Sequence, residues 1–310
     1  MAIGGSSGPN GSEFGRLTGC RPDAGVLSRV LRLAISCALI APFATLLSIV
    51  PATAQQGAAP DRAAERVFDR PPANCTAPRE IGTLAVPLAA AQSAFARKGD
   101  FRIVALGSSS TQGTGASSPK MCYPAQLEVE LNRRSGAAKH FEVVNLGVGG
   151  EMASDMLSRI DREVNPLKPG LVIWQTGVND AIVGISIDDF RMQLAQGIDA
   201  IQAAGADVIL LDLQYYPRSE RVRGYKDYLQ MIWQVGREKG VPVLRRHDFM
   251  KHLVESRQFT VSQLLAPDQF HLNDLSYRCL GHMVADAVTN GLRLATEPVP
   301  AARRDLAEAR

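Results

Sequence analysis

The segment FRIVALGSSSTQG, residues 101–113, indicates the fold class. Residues 101–106 are an apolar, β-branched run of strand length, and glycine and serine follow where a helix would begin. A buried strand that runs through a small-residue loop into a helix is typical of an α/β protein with a parallel sheet. We therefore expect further strands of the same kind along the chain.

Four more apolar runs of strand length follow, over residues 141–146, 171–176, 207–213 and 241–245. Segments with helical spacing separate them, such as the one that contains Ile187, Phe190, Leu194, Ile198 and Ile201. Because strands alternate with helices, we expect a five-stranded parallel sheet with helices on both faces and right-handed crossovers. A last helix is predicted to begin at an Asn273/Asp274 cap.

Composition and charge limit the function classes. The chain has 310 residues, 45% hydrophobic and 21% charged, which excludes a disordered or collagen-like protein. Residues 1–54 contain four basic and two acidic residues, so the remainder has 30 basic and 29 acidic residues and a net charge of +1. This balance gives no electrostatic basis for binding nucleic acid. We expect a linker over residues 55–79, one domain over 80–295 and a flexible tail over 296–310.

Residues 1–54 have the pattern of a secretory signal with an atypical N-terminal extension. Arg29 and Arg32 precede an uncharged apolar run over residues 33–50, and Ala-Thr-Ala at 52–54 matches a cleavage site. The run is about long enough to cross a bilayer, so an uncleaved anchor is the alternative. Pro42 and the cleavage site favour cleavage. We expect a periplasmic or secreted protein without stable membrane insertion after signal cleavage.

Three cysteines follow the signal segment: Cys75, Cys122 and Cys279. They form either one disulfide and a free thiol or three reduced thiols. We favour a Cys75–Cys122 pair, because Cys279 falls in a helix that we expect to be buried. No C-x-x-C or H-E-x-x-H spacing occurs, so we predict neither a metal nor a cofactor.

The loops that leave the carboxyl ends of the strands are where open α/β sheets bind ligands. The first strand runs into Ser108, Ser109 and Ser110, and a serine at the start of a helix has an exposed hydroxyl and an unpaired N–H, which suit a nucleophile whose amide stabilises an oxyanion. A simple cap or turn is the alternative, and a phosphate loop would need a G-K-[ST] sequence that is absent. Gly150 and Asn179 follow the second and third strands. Glycine there lets the backbone approach a ligand closely and asparagine offers a neutral N–H donor, whereas a tight turn and a helix cap are the alternatives.

The segment PDQFHLND, residues 267–274, precedes the last helix. A carboxylate three residues before a histidine can curl back to its Nδ1 and fix the tautomer. The Nε2 atom is then free to take a proton from a serine. Asp268 and His271 are therefore candidates for an acid–base pair.

These four loops, in this order, resemble the SGNH hydrolase superfamily, the GDSL-type esterases and lipases, over residues 101–290. The resemblance implies a flavodoxin-like three-layer α/β/α fold. It also implies a triad of Ser109, His271 and Asp268, and an oxyanion hole formed by the amides of Ser109 and Gly150 with the Asn179 side chain. Ser108 stands where the family usually has aspartate. Ser110 is the alternative nucleophile.

The function implied is an exported serine hydrolase that cleaves carboxylic esters, either of an acetylated glycan or of a short acyl or lipid group. Two alternatives remain: an O-acyltransferase that uses the same triad, and a non-catalytic glycan-binding relative, which the missing aspartate at position 108 favours. Tyr215 and Tyr216 follow the fourth strand and are candidates to contact the substrate. The alternative is that both tyrosines cover the core.

Overall fold

Five parallel strands form one sheet at the centre of the molecule. The computed structural model describes residues 75–294, except for the side chain of residue 220. The strands are β1 (Phe101–Gly107), β2 (Phe141–Gly147), β3 (Leu171–Gln175), β4 (Asp207–Leu211) and β5 (Val243–Leu244). Their order in the sheet is β2-β1-β3-β4-β5. The predicted five-stranded parallel sheet is confirmed.

Helices cover both faces of this sheet. They are α1 (Arg79–Gly82), α2 (Ala89–Phe95), α3 (Ser109–Gln112), α4 (Tyr123–Ser135), α5 (Ala153–Arg159), α6 (Val178–Val183), α7 (Ile187–Ala203), α8 (Tyr225–Lys239), α9 (Arg246–Glu255), α10 (Val261–Leu264) and α11 (Asp274–Gly291). The result is the predicted three-layer α/β/α fold. Every residue of β3 is buried, as expected for a strand with helices on both faces. None of the helices within residues 75–294 is long and apolar enough to cross a membrane.

Strand order places the functional loops. The chain passes from β1 to its neighbour β2 and then crosses to β3 on the other side of β1. The loop that leaves β1 therefore lies where the connections diverge, the place at which open α/β sheets bind ligands. The loops that follow β2 and β3 flank it on either side.

The last helix begins as the sequence predicts. Asn273 is the N-cap of α11, and its side chain accepts a hydrogen bond from the N–H of Ser276. The predicted last strand, residues 241–245, is shorter than expected. Pro242 has no N–H to donate, and only Val243–Leu244 joins the ladder. The predicted signal segment, most of the linker and the tail lie outside the described residues.

The disulfide prediction was wrong. Cys75 is bonded to Cys279, with their Cα atoms 5.5 Å apart, while Cys122 is buried and lies outside this disulfide. Burial of Cys279 in α11 does not prevent pairing, because the segment that begins at Cys75 packs against the core. The bond closes a sequence separation of 204 residues and links the start of the domain to its last helix.

Candidate active site

Ser109 and Ser110, the two candidate nucleophiles, have different partners. Ser109 is the first residue of α3, and its Oγ lies 3.0 Å from Nε2 of His271. Ser110 points into the interior, where its Oγ donates to Oε1 of Gln214 at 3.0 Å. Of the two hydroxyl groups, only that of Ser109 faces a base.

Asp268 and His271 lie in the loop between α10 and α11. Oδ2 of Asp268 is 2.6 Å from Nδ1 of His271, and Oδ1 accepts hydrogen bonds from the N–H groups of Phe270 and His271. Partial burial opposes ionisation, but these hydrogen bonds outweigh it and hold the pKa of Asp268 below its usual value. The ionised carboxylate keeps the imidazole proton on Nδ1, so Nε2 is left as the acceptor toward Ser109.

Ser108, at the position of the family's usual aspartate, is buried and bonded to β3. Its N–H donates to Oε1 of Gln175 at 3.1 Å. The hydroxyl of Thr111 donates to the same oxygen at 3.0 Å. Gln175 is 1% exposed. A buried amide thus fixes the turn that carries Ser109, without a carboxylate at position 108.

Gly150 and Asn179 lie at the ends of the two strands that flank β1. Gly150 has a φ of 83°, a left-handed conformation that favours glycine. Nδ2 of Asn179 donates to the carbonyl oxygen of Glu151 at 2.8 Å, which leaves its second N–H available. The backbone N–H groups of Ser109 and Gly150 have no acceptor among the described residues. Three donors are therefore available after the adjacent strands β1, β2 and β3.

Two buried side chains hold the loop that contains Gly150. Oδ1 of Asp180 accepts the N–H of Ala153 at 3.0 Å, and burial raises the pKa of this carboxyl. Arg159 is 4% exposed and forms an ion pair with Glu151 at 2.6 Å. These contacts hold the segment that directly follows Gly150 and so preorganise the loop.

The two tyrosines differ in their environment. Tyr216 is 4% exposed, and its ring packs edge-to-face on Phe270, with ring centroids 5.0 Å apart. This placement favours the alternative that Tyr216 covers the core. Tyr215 is half-buried and packs edge-to-face on His247, with centroids 5.6 Å apart. Contact of Tyr215 with a substrate stays a prediction.

Three polar side chains that hold the site were not assigned a role from the sequence: Gln175, Gln214 and Asp180. Each is at most 1% exposed and holds a loop of the site through its side chain. Each of these residues is polar and lies in, or just after, an apolar strand. Because a buried polar side chain requires a hydrogen-bond partner, this position could have indicated that each one holds a neighbouring segment. The partner itself is set by tertiary structure.

The arrangement suits acyl transfer. It combines a hydroxyl nucleophile, a histidine base oriented by a carboxylate, and N–H donors at the ends of three adjacent strands. Within residues 75–294, no group of three or more His, Cys, Asp or Glu residues is placed to hold a metal ion.

Residues 74–294 match the model of the Non-GDSL lipase-like family. Among curated proteins, Esterase TesA of Pseudomonas aeruginosa is 31% identical over 77 residues, which cover 25% of this chain and 38% of that protein. The chain thus matches less than half the length of that relative.

Solved structures share the fold. A lipase/acylhydrolase from Enterococcus faecalis is 24% identical with a TM-score of 0.51, and the match covers 64% of this chain and all of that one. An acetyl xylan esterase, AlAXEase, is 20% identical with a TM-score of 0.52, and the match covers 61% of this chain and 100% of that one. At these identities the likeness concerns the fold alone.

Proposed function

The chain belongs to the Non-GDSL lipase-like family, among the SGNH-type ester hydrolases, and from this premise we propose that it cleaves carboxylic esters through an acyl-enzyme on Ser109. The proposal rests on two contacts. Ser109 Oγ lies 3.0 Å from His271 Nε2, and His271 Nδ1 lies 2.6 Å from Asp268. A residue that only capped a helix would need neither contact.

The reaction takes two steps. Ser109 Oγ attacks the ester carbonyl carbon while its proton passes to Nε2 of His271, and the carbonyl oxygen becomes an oxyanion. The N–H groups of Ser109 and Gly150 and the Asn179 amide stabilise that charge. The intermediate collapses, and the alcohol leaves with the proton from His271. Water then attacks the acyl-enzyme by the same route, which releases the acid and regenerates the serine.

Exposed apolar side chains lie on the segments that carry the proposed oxyanion hole. Val148, Ile182 and Val183 are between 45% and 64% exposed. Val148 lies in the loop that contains Gly150, and Ile182 and Val183 lie in α6, the helix that contains Asn179. Exposed apolar side chains at this position favour a short acyl or lipid ester, with an acetylated glycan as the alternative. Nitrophenyl esters of increasing chain length, compared with acetylated xylan, test this choice.

We also propose that the protein is exported. The support is the signal-like pattern of residues 1–54, together with the Cys75–Cys279 disulfide, because disulfides persist mainly in oxidising compartments. Expression of the full chain in a Gram-negative host, followed by cell fractionation and N-terminal sequencing, tests it. A mature N-terminus near residue 55 in the periplasm supports export. An intact chain in the membrane fraction identifies an uncleaved anchor, and an intact cytoplasmic chain contradicts export.

Pre-steady-state kinetics tests the hydrolase proposal. A burst of nitrophenol followed by a slower steady rate indicates an acyl-enzyme whose hydrolysis limits turnover. Acceleration by added sugar, with formation of acyl-sugar, would instead identify an O-acyltransferase. Glycan binding without any nitrophenol release would identify a binding protein and refute the catalytic proposal.

A further inference from the structure

One buried side chain joins the loop of Ser109 to the loop of His271. Gln214 lies just beyond β4 and is 1% exposed. Its Oε1 accepts a hydrogen bond from Ser110 Oγ at 3.0 Å, and its Nε2 donates to the carbonyl oxygen of Phe270 at 2.9 Å. Ser110 directly follows the proposed nucleophile, and Phe270 directly precedes the proposed base. A single amide thus spans the two loops.

The orientation of this amide is determined by its partners. The carbonyl oxygen of Phe270 can only accept, so the NH₂ group of Gln214 must face it and the amide oxygen must face Ser110. The backbone of Gln214 is also held, since its carbonyl oxygen accepts from Tyr225 Oη at 2.6 Å. Burial raises the pKa of Tyr225 well above its usual value, so that hydroxyl stays protonated and donates.

We infer that Gln214 is a positioning residue that sets the separation between Ser109 and His271. The two residues are 162 positions apart, and their polar contact is 3.0 Å long. A displacement of about 1 Å in such a contact can lower the rate by roughly 10². The kinetic consequence rests on the function proposed above, whereas the geometric consequence does not.

A second contact between the same loops provides a matched control. The N–H and Oγ of Ser117 donate to the carboxylate of Asp274 at 2.8 and 2.6 Å. This contact is exposed and lies further along both loops, beyond Ser109 and His271. Ser117→Ala therefore weakens the attachment of the two loops without touching Gln214.

The first test is kinetic. Gln214→Met preserves the length of the side chain but removes both hydrogen bonds, so we expect kcat to fall about 10- to 100-fold with little change in KM. Labelling of Ser109 by a fluorophosphonate should slow by the same factor. Ser117→Ala should keep the wild-type kcat. Equal kcat values in Gln214→Met and Ser117→Ala would overturn the inference.

The pH dependence of kcat in Gln214→Glu is a second test, because a purely structural role of Gln214 would not produce it. A protonated carboxyl can donate to Phe270 and accept from Ser110, whereas a carboxylate cannot donate. The ratio of its kcat to that of the wild type should therefore rise as the pH is lowered. A ratio that stays constant with pH would contradict the positioning role.

A crystal structure of Gln214→Met separates this inference from the proposed function. We expect the distance from Ser109 Oγ to His271 Nε2 to exceed hydrogen-bonding range, about 3.5 Å. An unchanged distance would refute the positioning role even if the enzyme is active. A wild-type protein that hydrolyses no ester would refute the proposed function, and this distance would still decide the role of Gln214.

Discussion

Oγ of Ser109 lies 3.0 Å from Nε2 of His271, although 162 positions separate the two residues in sequence. Ser109 is the first residue of α3, which directly follows β1, and His271 lies in the loop that precedes α11. The contact therefore depends on how the last helix docks on the sheet. The predictions below test the chemistry that this contact supports and the interactions that maintain it.

His271→Ala should lower kcat for ester hydrolysis by roughly 10³ or more, because within residues 75–294 only His271 is placed to accept the Ser109 proton. Steady-state kinetics with nitrophenyl acetate measures the loss. His252→Ala, in α9, is the control and should keep the wild-type rate. A His271→Ala variant within tenfold of wild type would show that His271 is not the base.

Asn179→Ala should lower kcat by about 10² to 10³ with little change in KM, since its amide donates to a charge that exists mainly in the transition state. The variant also loses the hydrogen bond to Glu151, so we expect a stability loss of about 1 kcal/mol. Kinetics and urea unfolding measure the two effects separately. A variant that loses stability alone would identify Asn179 as a structural cap.

Asp212 should make stability depend on pH. Burial raises its pKa to about 7, despite hydrogen bonds from the His247 N–H and the Trp233 indole. Between pH 3.8 and about 7 the folded protein retains this proton and the unfolded chain releases it. The free energy of unfolding attributable to Asp212 therefore falls as pH rises through that window.

Urea unfolding at several pH values, for the wild type and Asp212→Asn, measures this contribution. The variant remains neutral at every pH, so its stability relative to wild type should increase between pH 4 and about 7. Asp188→Asn, on the exposed surface of α7, is the control, and its free energy of unfolding should change with pH as that of the wild type does. Parallel curves for wild type and Asp212→Asn would contradict the prediction.

Loss of the Cys75–Cys279 disulfide should destabilise the protein by about 2–5 kcal/mol, because the bond constrains a long loop of the unfolded chain. Thermal unfolding of Cys75→Ser with and without dithiothreitol tests this. The reductant should lower the Tm of the wild type and of Cys122→Ser but leave Cys75→Ser unchanged. A Cys122→Ser variant that no longer responds would indicate a different pairing.

The sequence was most informative where burial alone determines structure. All five strands were predicted, because strands covered on both faces are largely apolar runs such as LVIW in β3. Their exact ends were less predictable, because they depend on pairing with a neighbour. The run that contains Asp212 and Leu213 continues beyond the ladder, and Pro242 shortens β5.

Contacts between distant loops were not predictable in the same way. The pairing of Cys75 with Cys279 depends on where the first segment of the domain packs, which no local pattern determines. The partners of Gln214 likewise come from two loops that meet only in the folded chain. By contrast, the contact of Asp268 with His271 lies within one short segment, so their spacing alone predicted it.

The most direct test of the central claim is to label the wild-type protein with a fluorophosphonate and map the adduct by peptide mass spectrometry. We expect a single adduct on Ser109, with no labelling of Ser109→Ala, because among the hydroxyl groups of residues 75–294 only that of Ser109 contacts His271. The buried Ser110, which donates to Gln214, should remain unmodified. An adduct on Ser110, or no adduct on active protein, would contradict the account.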